Sequence, residues 1–263
     1  MTRKIWWTDF SASEFDNLDP MNTIAILPIA AIEQHGPHLP VGTDTIINQS
    51  MIELLATRAP AGLNLRILPV QAIGKSNEHI WSKGTITHQA TNLIDAWTQI
   101  GLEVARSGIK KLIFINSHGG NEDIMSIVAR ELRVRAGMLA VRSGWRFTPD
   151  GVLTDLERRH GIHGGDAETS LILCFKPDLV DMSKADNFVS ITARDEQQFK
   201  HLRPTGAFGH LYAWIASDIN PSGAVGDAAS ASAEKGRTIA EANVTGMLEV
   251  LTEIAAMPLP GQR

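Results

Sequence analysis

Three short segments, far apart in the chain, put imidazole and carboxylate side chains among glycines. The first is Glu33-Gln34-His35-Gly36-Pro37-His38, with Asp44 shortly after it. The second is Asn116-Ser117-His118-Gly119-Gly120-Asn121, and the third is His163-Gly164-Gly165-Asp166-Ala167-Glu168. Imidazole suits zinc, iron or nickel, and carboxylate suits manganese or magnesium. Glu33 and His35 are two residues apart, so on an extended chain both side chains point the same way. Together with Asp44, His118 and Glu168 they make three carboxylates and two imidazoles. That is too many donors for one closed tetrahedral zinc site. It suits two ions about 3.5–4 Å apart that share a carboxylate and keep a position open for water.

Each residue has a plainer use. Asp44 is equally suited to cap a helix starting at Thr45, and Asn121 to cap its own helix, because both side chains can accept from free amide groups. A single histidine is more often a hydrogen-bonded or surface residue than a ligand. The reading rests on coincidence: three strand-to-helix turns each deliver such groups, and such turns are where catalytic residues concentrate. The Gly-Gly turns could instead cradle phosphate on helix amides. The chain has neither G-x-G-x-x-G nor a Walker lysine, and it lacks the G-x-S-x-G of serine hydrolases. Ser117 and His118 are neighbours whose side chains diverge on a strand, which disfavours a nucleophile–base pair.

The elements that must position these turns follow from the apolar pattern. Residues 23–31, 65–70, 111–116 and 138–141 read as strands. Helical spacing marks 45–58, 92–106 (Leu93, Trp97, Ile100, Val104), 121–136 (Ile124, Ile127, Val128, Leu132), 166–175 and 230–254. Strands alternating with helices of this length predict βαβ units and a mostly parallel sheet covered on both faces. In such sheets the active crevice lies outside the carboxyl ends of the strands. No repeat or linker divides residues 1–263, so one domain is expected.

Composition excludes several classes. The net charge is −5 with no basic stripe, so nucleic acid is not an expected partner. The longest apolar run, residues 24–32, contains Pro28 and falls far short of the roughly 20 residues of a membrane span. The lone Cys174 excludes a disulfide framework and a four-cysteine zinc site and fits a reducing compartment, so a cytoplasmic protein is expected.

Residues 33–45 (EQHGPHLPVGTDT), 116–121 (NSHGGN) and 163–170 (HGGDAETS) resemble the signature segments of the creatininase (creatinine amidohydrolase) family. Ser76-Asn77-Glu78-His79 with Gly84-Thr85-Ile86, and residues 223–226 with Glu234-Lys235-Gly236, extend the likeness over nearly the whole chain. The resemblance implies a three-layer α/β/α fold, two divalent metal ions (zinc, manganese or iron) and a homo-oligomer, often a hexamer. It also implies hydrolysis of C–N bonds in small molecules such as cyclic amides and formamides. By position it assigns Glu33, His35, Asp44 and His118 as metal ligands, with Asp44 bridging, and His163 as the proton-transferring residue. Creatininase itself has an aromatic residue and a glutamate directly after the histidine matching His118, where this chain has Gly119 and Gly120. Glu168 is the favoured replacement ligand and Glu122 its rival, because a glutamate opening a helix has a ready structural use there. The departure weakens creatinine as a substrate. Two other readings stay open: a non-catalytic binding module with a structural metal, and a metal-free hydrolase or isomerase using His163 with Glu168 or Asp166. Trp81, Trp145 and Trp214 are candidates for a pocket wall or for core packing, and Trp6 and Trp7 for subunit contacts or packing on the sheet.

Overall fold

The structure is a computed structural model and describes residues 3–205, 210–259 and 261. Its frame is a four-stranded parallel sheet of β1 (Thr23–Ile29), β2 (Asn64–Ile67), β3 (Lys111–Asn116) and β4 (Leu139–Gly144), ordered β2-β1-β3-β4. A short helix α1 (Ala12–Phe15) precedes β1. The crossovers are α2 (Thr43–Arg58), α3 (Ala90–Arg106) and α4 (Glu122–Ala136). Beyond β4 come α5 (Asp155–His160), α6 (Asp166–Phe175) and finally α9 (Ala233–Ala256).

Side-chain alternation along the strands builds two cores. Ile24, Ile26, Ile113 and Ile115 face α2, α6 and α9, joining Met51, Leu55, Ile172, Val244, Met247 and Leu251. Ala25, Leu27, Ile29, Leu112 and Phe114 face α3 and α4, joining Leu93, Trp97, Val104, Met125, Val128 and Leu132. Both strands are buried throughout, which is why they read as continuous apolar runs. The result is the expected three-layer α/β/α arrangement.

The strand order fixes where a site can form. From β1 the chain moves to β2 on one side and returns to β3 on the other, so order reverses between β1 and β3. Helices leaving two such strands pass to opposite faces and open a crevice at the carboxyl ends. The segments carrying Glu33 and His118 leave β1 and β3 at this point.

A polar excursion lies between α6 and α9. It contains β5 (Asn187–Phe188) paired antiparallel with β8 (Gly226–Asp227), α7 (Ile191–Gln198), the parallel pair β6 (Leu202–Arg203) and β7 (His210–Leu211), and α8 (Ala216–Ile219). Val225, just before β8, bridges back to His163 and brings residues 223–226 to the crevice.

Several local expectations differ from the structure. Helix α2 starts at Thr43, with Gly42 at its N-cap, so Asp44 lies inside the first turn and caps nothing. Asn121 does precede α4 but makes no side-chain cap. Ile127 is 47% exposed although the spacing put it on the core face. Trp6 and Trp7 pack on opposite faces of the sheet. No helix among the described residues is long and apolar enough to cross a membrane.

Candidate metal centre

Each side chain reaches the crevice through an identifiable anchor. After β1 the chain stays extended: Glu33 N–H donates to Val41 O at 2.9 Å and Gln34 N–H to Thr85 Oγ1 at 3.2 Å. Thr45 Oγ1 donates to Ala31 O at 2.9 Å, fixing the start of α2 and hence Asp44. Asn116 clasps the turn after β3, accepting from His118 N–H at 3.1 Å and donating to His118 O at 2.5 Å. Asn121 ties three segments together: its amide donates to Ala30 O at 3.0 Å and Asn116 Oδ1 at 3.1 Å, and its oxygen accepts from Lys75 N–H at 3.0 Å. This tertiary work explains why it does not cap α4. Glu168, in the first turn of α6, accepts from Gly164 N–H at 2.6 Å.

These anchors bring the sequence-derived set together. Asp44 Oδ1 lies 3.4 Å from His35 Nε2, and Asp44 Oδ2 lies 3.3 Å from His118 Nδ1. Glu168 Oε2 is 3.8 Å from His35 Nε2, and Glu33 Oε1 is 3.2 Å from His118 Nδ1. His163 Nδ1 faces the same Glu33 oxygen at 3.5 Å. The rival Glu122 is elsewhere, paired with Arg142 at 3.3 Å and Arg146 at 2.6 Å.

The outer nitrogen of each ligand-type histidine has a partner of fixed polarity. His35 Nδ1–H donates to Glu33 O at 3.0 Å, and His118 Nε2–H to Lys75 O at 2.8 Å. A carbonyl can only accept, so the inward nitrogens, His35 Nε2 and His118 Nδ1, are the ones free to hold a cation or a proton. Histidines that ligate metals are fixed in this manner. Both Glu33 oxygens, His35 Nε2 and Asp44 Oδ2 are buried without a hydrogen-bond partner. Leaving such atoms bare costs free energy, and divalent cations bound among them would offset that cost. Donors close enough for one ion occur as His35, Asp44 and Glu168, as Glu33, Glu78 and His118, and as Glu33, His35 and His163. The residues therefore fit divalent metal binding.

Protons answer the same demand in the metal-free chain. Burial opposes charge on His35, but Asp44 beside it, with Glu168 and Glu33, carries its pKa up to about 10. Burial likewise opposes charge on His118, and Glu33 and Asp44 raise it well above its ordinary value. Burial alone would raise Glu33, yet the charged His118 above all, with His35, holds it far below the usual carboxylate range. Glu168 is pushed up to about 7 by burial, with His35 opposing. His163 is held well below its ordinary value by burial and by His35, so its inward Nδ1 carries a lone pair.

Two residues of the crevice do not stand out as site residues in the sequence. Glu78 Oε1 lies 3.5 Å from His118 Nε2, and His79 Nε2 lies 3.4 Å from Glu33 Oε1. Their adjacent acid–imidazole pairing was the available signal, but they stand on a short 3-10 turn, Asn77–His79, rather than at a strand end. They also account for Gly120, where a Cβ would sit 2.2 Å from Lys75 O and 2.6 Å from Glu78 Oε1. Of the tryptophans, Trp81, two residues after His79 in the chain, is exposed, whereas Trp145 donates to Asn48 Oδ1 at 3.3 Å and Trp214 to Pro204 O at 3.0 Å. Ser117 Oγ donates to Asp44 O at 2.9 Å, away from any nucleophilic role with His118.

Fold and site define a class: a three-layer α/β/α protein with a carboxylate–imidazole cluster at its topological switch point. The creatininase family model (creatinine amidohydrolase) matches residues 8–251. A mycofactocin precursor peptide peptidase of Mycobacterium ulcerans (strain Agy99) is 30% identical over 222 residues, 81% of this chain and 78% of that protein. Creatinine amidohydrolase of Pseudomonas putida is 27% identical over 252 residues, 88% and 89% of the two chains. A solved structure described as "Creatininase Mn" superposes with a TM-score of 0.75 at 25% identity, covering 95% of this chain and 98% of its own. The chain belongs to the creatininase family.

Proposed function

We propose that residues 1–263 form one metal-dependent hydrolase domain that cleaves the C–N bond of an amide, in the first instance a cyclic amide or formamide of a small molecule. The observation carrying this reading is Asp44, which turns one oxygen to His35 and the other to His118 among buried donors that lack partners. Two divalent ions, zinc, manganese or iron, would be held by Glu33, Asp44 and His118 on one side and by His35, Asp44 and Glu168 on the other. Bound there, they would supply a water acidified towards a pKa of about 7 and an electrophile for the amide oxygen.

The chain's own groups do the rest. His163 donates its Nε2–H to Gln34 O at 2.6 Å, which leaves Nδ1 open to the crevice as a proton acceptor. A neutral, oriented imidazole is suited to take a proton and return it to a leaving nitrogen. Gly119 and Gly120 leave out both the aromatic wall and the glutamate of creatininase, so creatinine is a poor fit. The relative named a peptide peptidase supports a second reading, in which the scissile bond belongs to a short peptide.

The test is reconstitution with each metal and a screen of lactams, formamides, imides and short peptides. Turnover that needs metal and stops on chelation is expected. A metal-replete protein inactive across the panel would instead favour a binding module, and activity that survives thorough metal removal would favour a metal-free mechanism. We further propose a cytoplasmic homo-oligomer, a hexamer on the family pattern, with a small-molecule substrate and no nucleic-acid or membrane partner.

A further inference from the structure

We propose that Gln34 is a positioning residue that fixes His79 as its Nε2–H tautomer, so that the hydrogen-bearing nitrogen of His79 is the one nearest the Glu33 carboxylate. Gln34 stands between the ligand-type residues Glu33 and His35 but is not itself a ligand. Its amide orientation is set by two backbone groups of known polarity. Oε1 accepts from Gly36 N–H at 2.8 Å, and Nε2 donates to Gly223 O at 3.1 Å. The second Nε2 hydrogen has two ring nitrogens in reach, His79 Nδ1 at 2.8 Å and His163 Nε2 at 3.2 Å; the latter spends its own hydrogen on Gln34 O at 2.6 Å and has no lone pair to offer, so His79 Nδ1 is the one that accepts. A neutral imidazole accepting at one nitrogen carries its hydrogen on the other. That other nitrogen is the one 3.4 Å from Glu33 Oε1.

The same residue sets the opposite state in the next ring. Its backbone carbonyl takes the Nε2–H of His163, so His163 turns a bare Nδ1 towards the Glu33 oxygen that His79 addresses with a hydrogen. The ring of His163 lies between those of His79 and His35, with centroids 4.3 and 4.1 Å away. One hydrogen-bearing and one bare ring nitrogen thus face Glu33, at 3.4 and 3.5 Å, and Gln34 keeps them different. The cradle is encoded far away in sequence: Gly223, at φ +83, would drive a Cβ to 2.4 Å from Gln34 Oε1. Outer partners that orient a ligand carboxylate in this way tune metal affinity.

The consequence for Glu33 rests on the metal-site reading above, whereas the tautomer does not, so the two can fail separately. Ring nitrogens are read by long-range proton–nitrogen NMR on the full chain labelled in histidine, zinc-loaded and metal-free, with the His79 signal assigned by its loss in His79→Asn. A pyridine-type Nδ1 on His79 is expected, and a protonated Nδ1 in the unaltered protein overturns the proposal. In Gln34→Glu, measured at alkaline pH where the new carboxyl is ionised, His79 Nδ1 becomes protonated; an unchanged ring removes Gln34 from the role. If that variant does not fold, Gly223→Ala, which displaces the same amide, takes its place: His79 is then expected to lose its single pyridine-type Nδ1 state and show a mixture of tautomers, and an unchanged ring removes Gln34 from the role. Competition with a fluorescent chelator reads the effect on Glu33: affinity for one zinc falls about 10–100-fold, and an unchanged affinity breaks the link to that carboxylate. A chain that binds no zinc sinks the metal reading and leaves the NMR result standing.

Discussion

Asp44 Oδ2 lies 3.3 Å from His118 Nδ1, buried and with no donor of its own, while the same carboxylate's other oxygen faces His35 at 3.4 Å. One carboxylate from the start of α2 thus spans two imidazoles delivered by different strands. Asp44→Asn keeps the shape but replaces one bridging oxygen by an amide. Metal content should fall to one equivalent or less, and turnover by more than the about 100-fold that loss of an outer partner can cost. Elemental analysis beside a rate assay checks this; a variant that keeps full metal and rate removes Asp44 from the bridge.

Glu168 and Glu122 make opposite predictions. Glu168→Gln should weaken the cation on the His35 side and nearly abolish turnover. Glu122→Gln loses only surface pairs with Arg142 and Arg146, worth about 1 kcal/mol at most, and should leave metal content alone. Isothermal titration of metal-free protein with zinc or manganese compares the two. Loss of a site in the Glu122 variant would reverse the assignment.

The pH behaviour of the metal-free protein should differ from that of the loaded one. In the folded, metal-free chain His35 titrates at about 10, against 6.5 for an unperturbed histidine. Its contribution to stability is complete below pH 6.5 and is lost as pH rises through about 10. The melting temperature of chelated protein should therefore decline over that interval, whereas a ligand nitrogen bearing metal has no proton to lose. Metal uptake at neutral pH should release protons, and apparent affinity should rise with pH. Parallel melting profiles with and without metal, measured across this interval, would contradict the account.

Adjacent glycines at the His118 turn should respond unequally. A Cβ at Gly119 meets nothing within 4 Å, but one at Gly120 collides with Lys75 O and Glu78 Oε1. Gly120→Ala should cost about 1–3 kcal/mol, as overpacking does, and should shift His118. Gly119→Ala should stay within about 0.5 kcal/mol of the parent. Denaturant unfolding of both variants decides, with equal losses as the adverse result.

Much of this was legible in the sequence, for a physical reason. Buried parallel strands leave unbroken apolar runs, and the turns after β1 and β3 must face the crevice, so Glu33, His35 and His118 could be read from their place in the chain. Asp44 was named with them, but capping and bridging predict the same residue type at a helix start, and the separation came from the fold, which places Asp44 inside the first turn with no cap to make. Glu78 and His79 were legible only as part of a family-like segment and carried no site role, because they sit on a short turn with no periodic element to orient them. Gln34 escaped because its partners Gly36 and Gly223 are joined only by folding. Ile127 kept the helical spacing of the core face but lies at its edge, and the short elements between α6 and α9 carry too few residues for any period to show.

The most direct test is anomalous diffraction from crystals grown with manganese or zinc. Two peaks about 3.5–4 Å apart are expected astride the Asp44 carboxylate, one against His35 and Glu168 and the other against His118 and Glu33. A single peak, or a pair that does not share Asp44, would contradict the account.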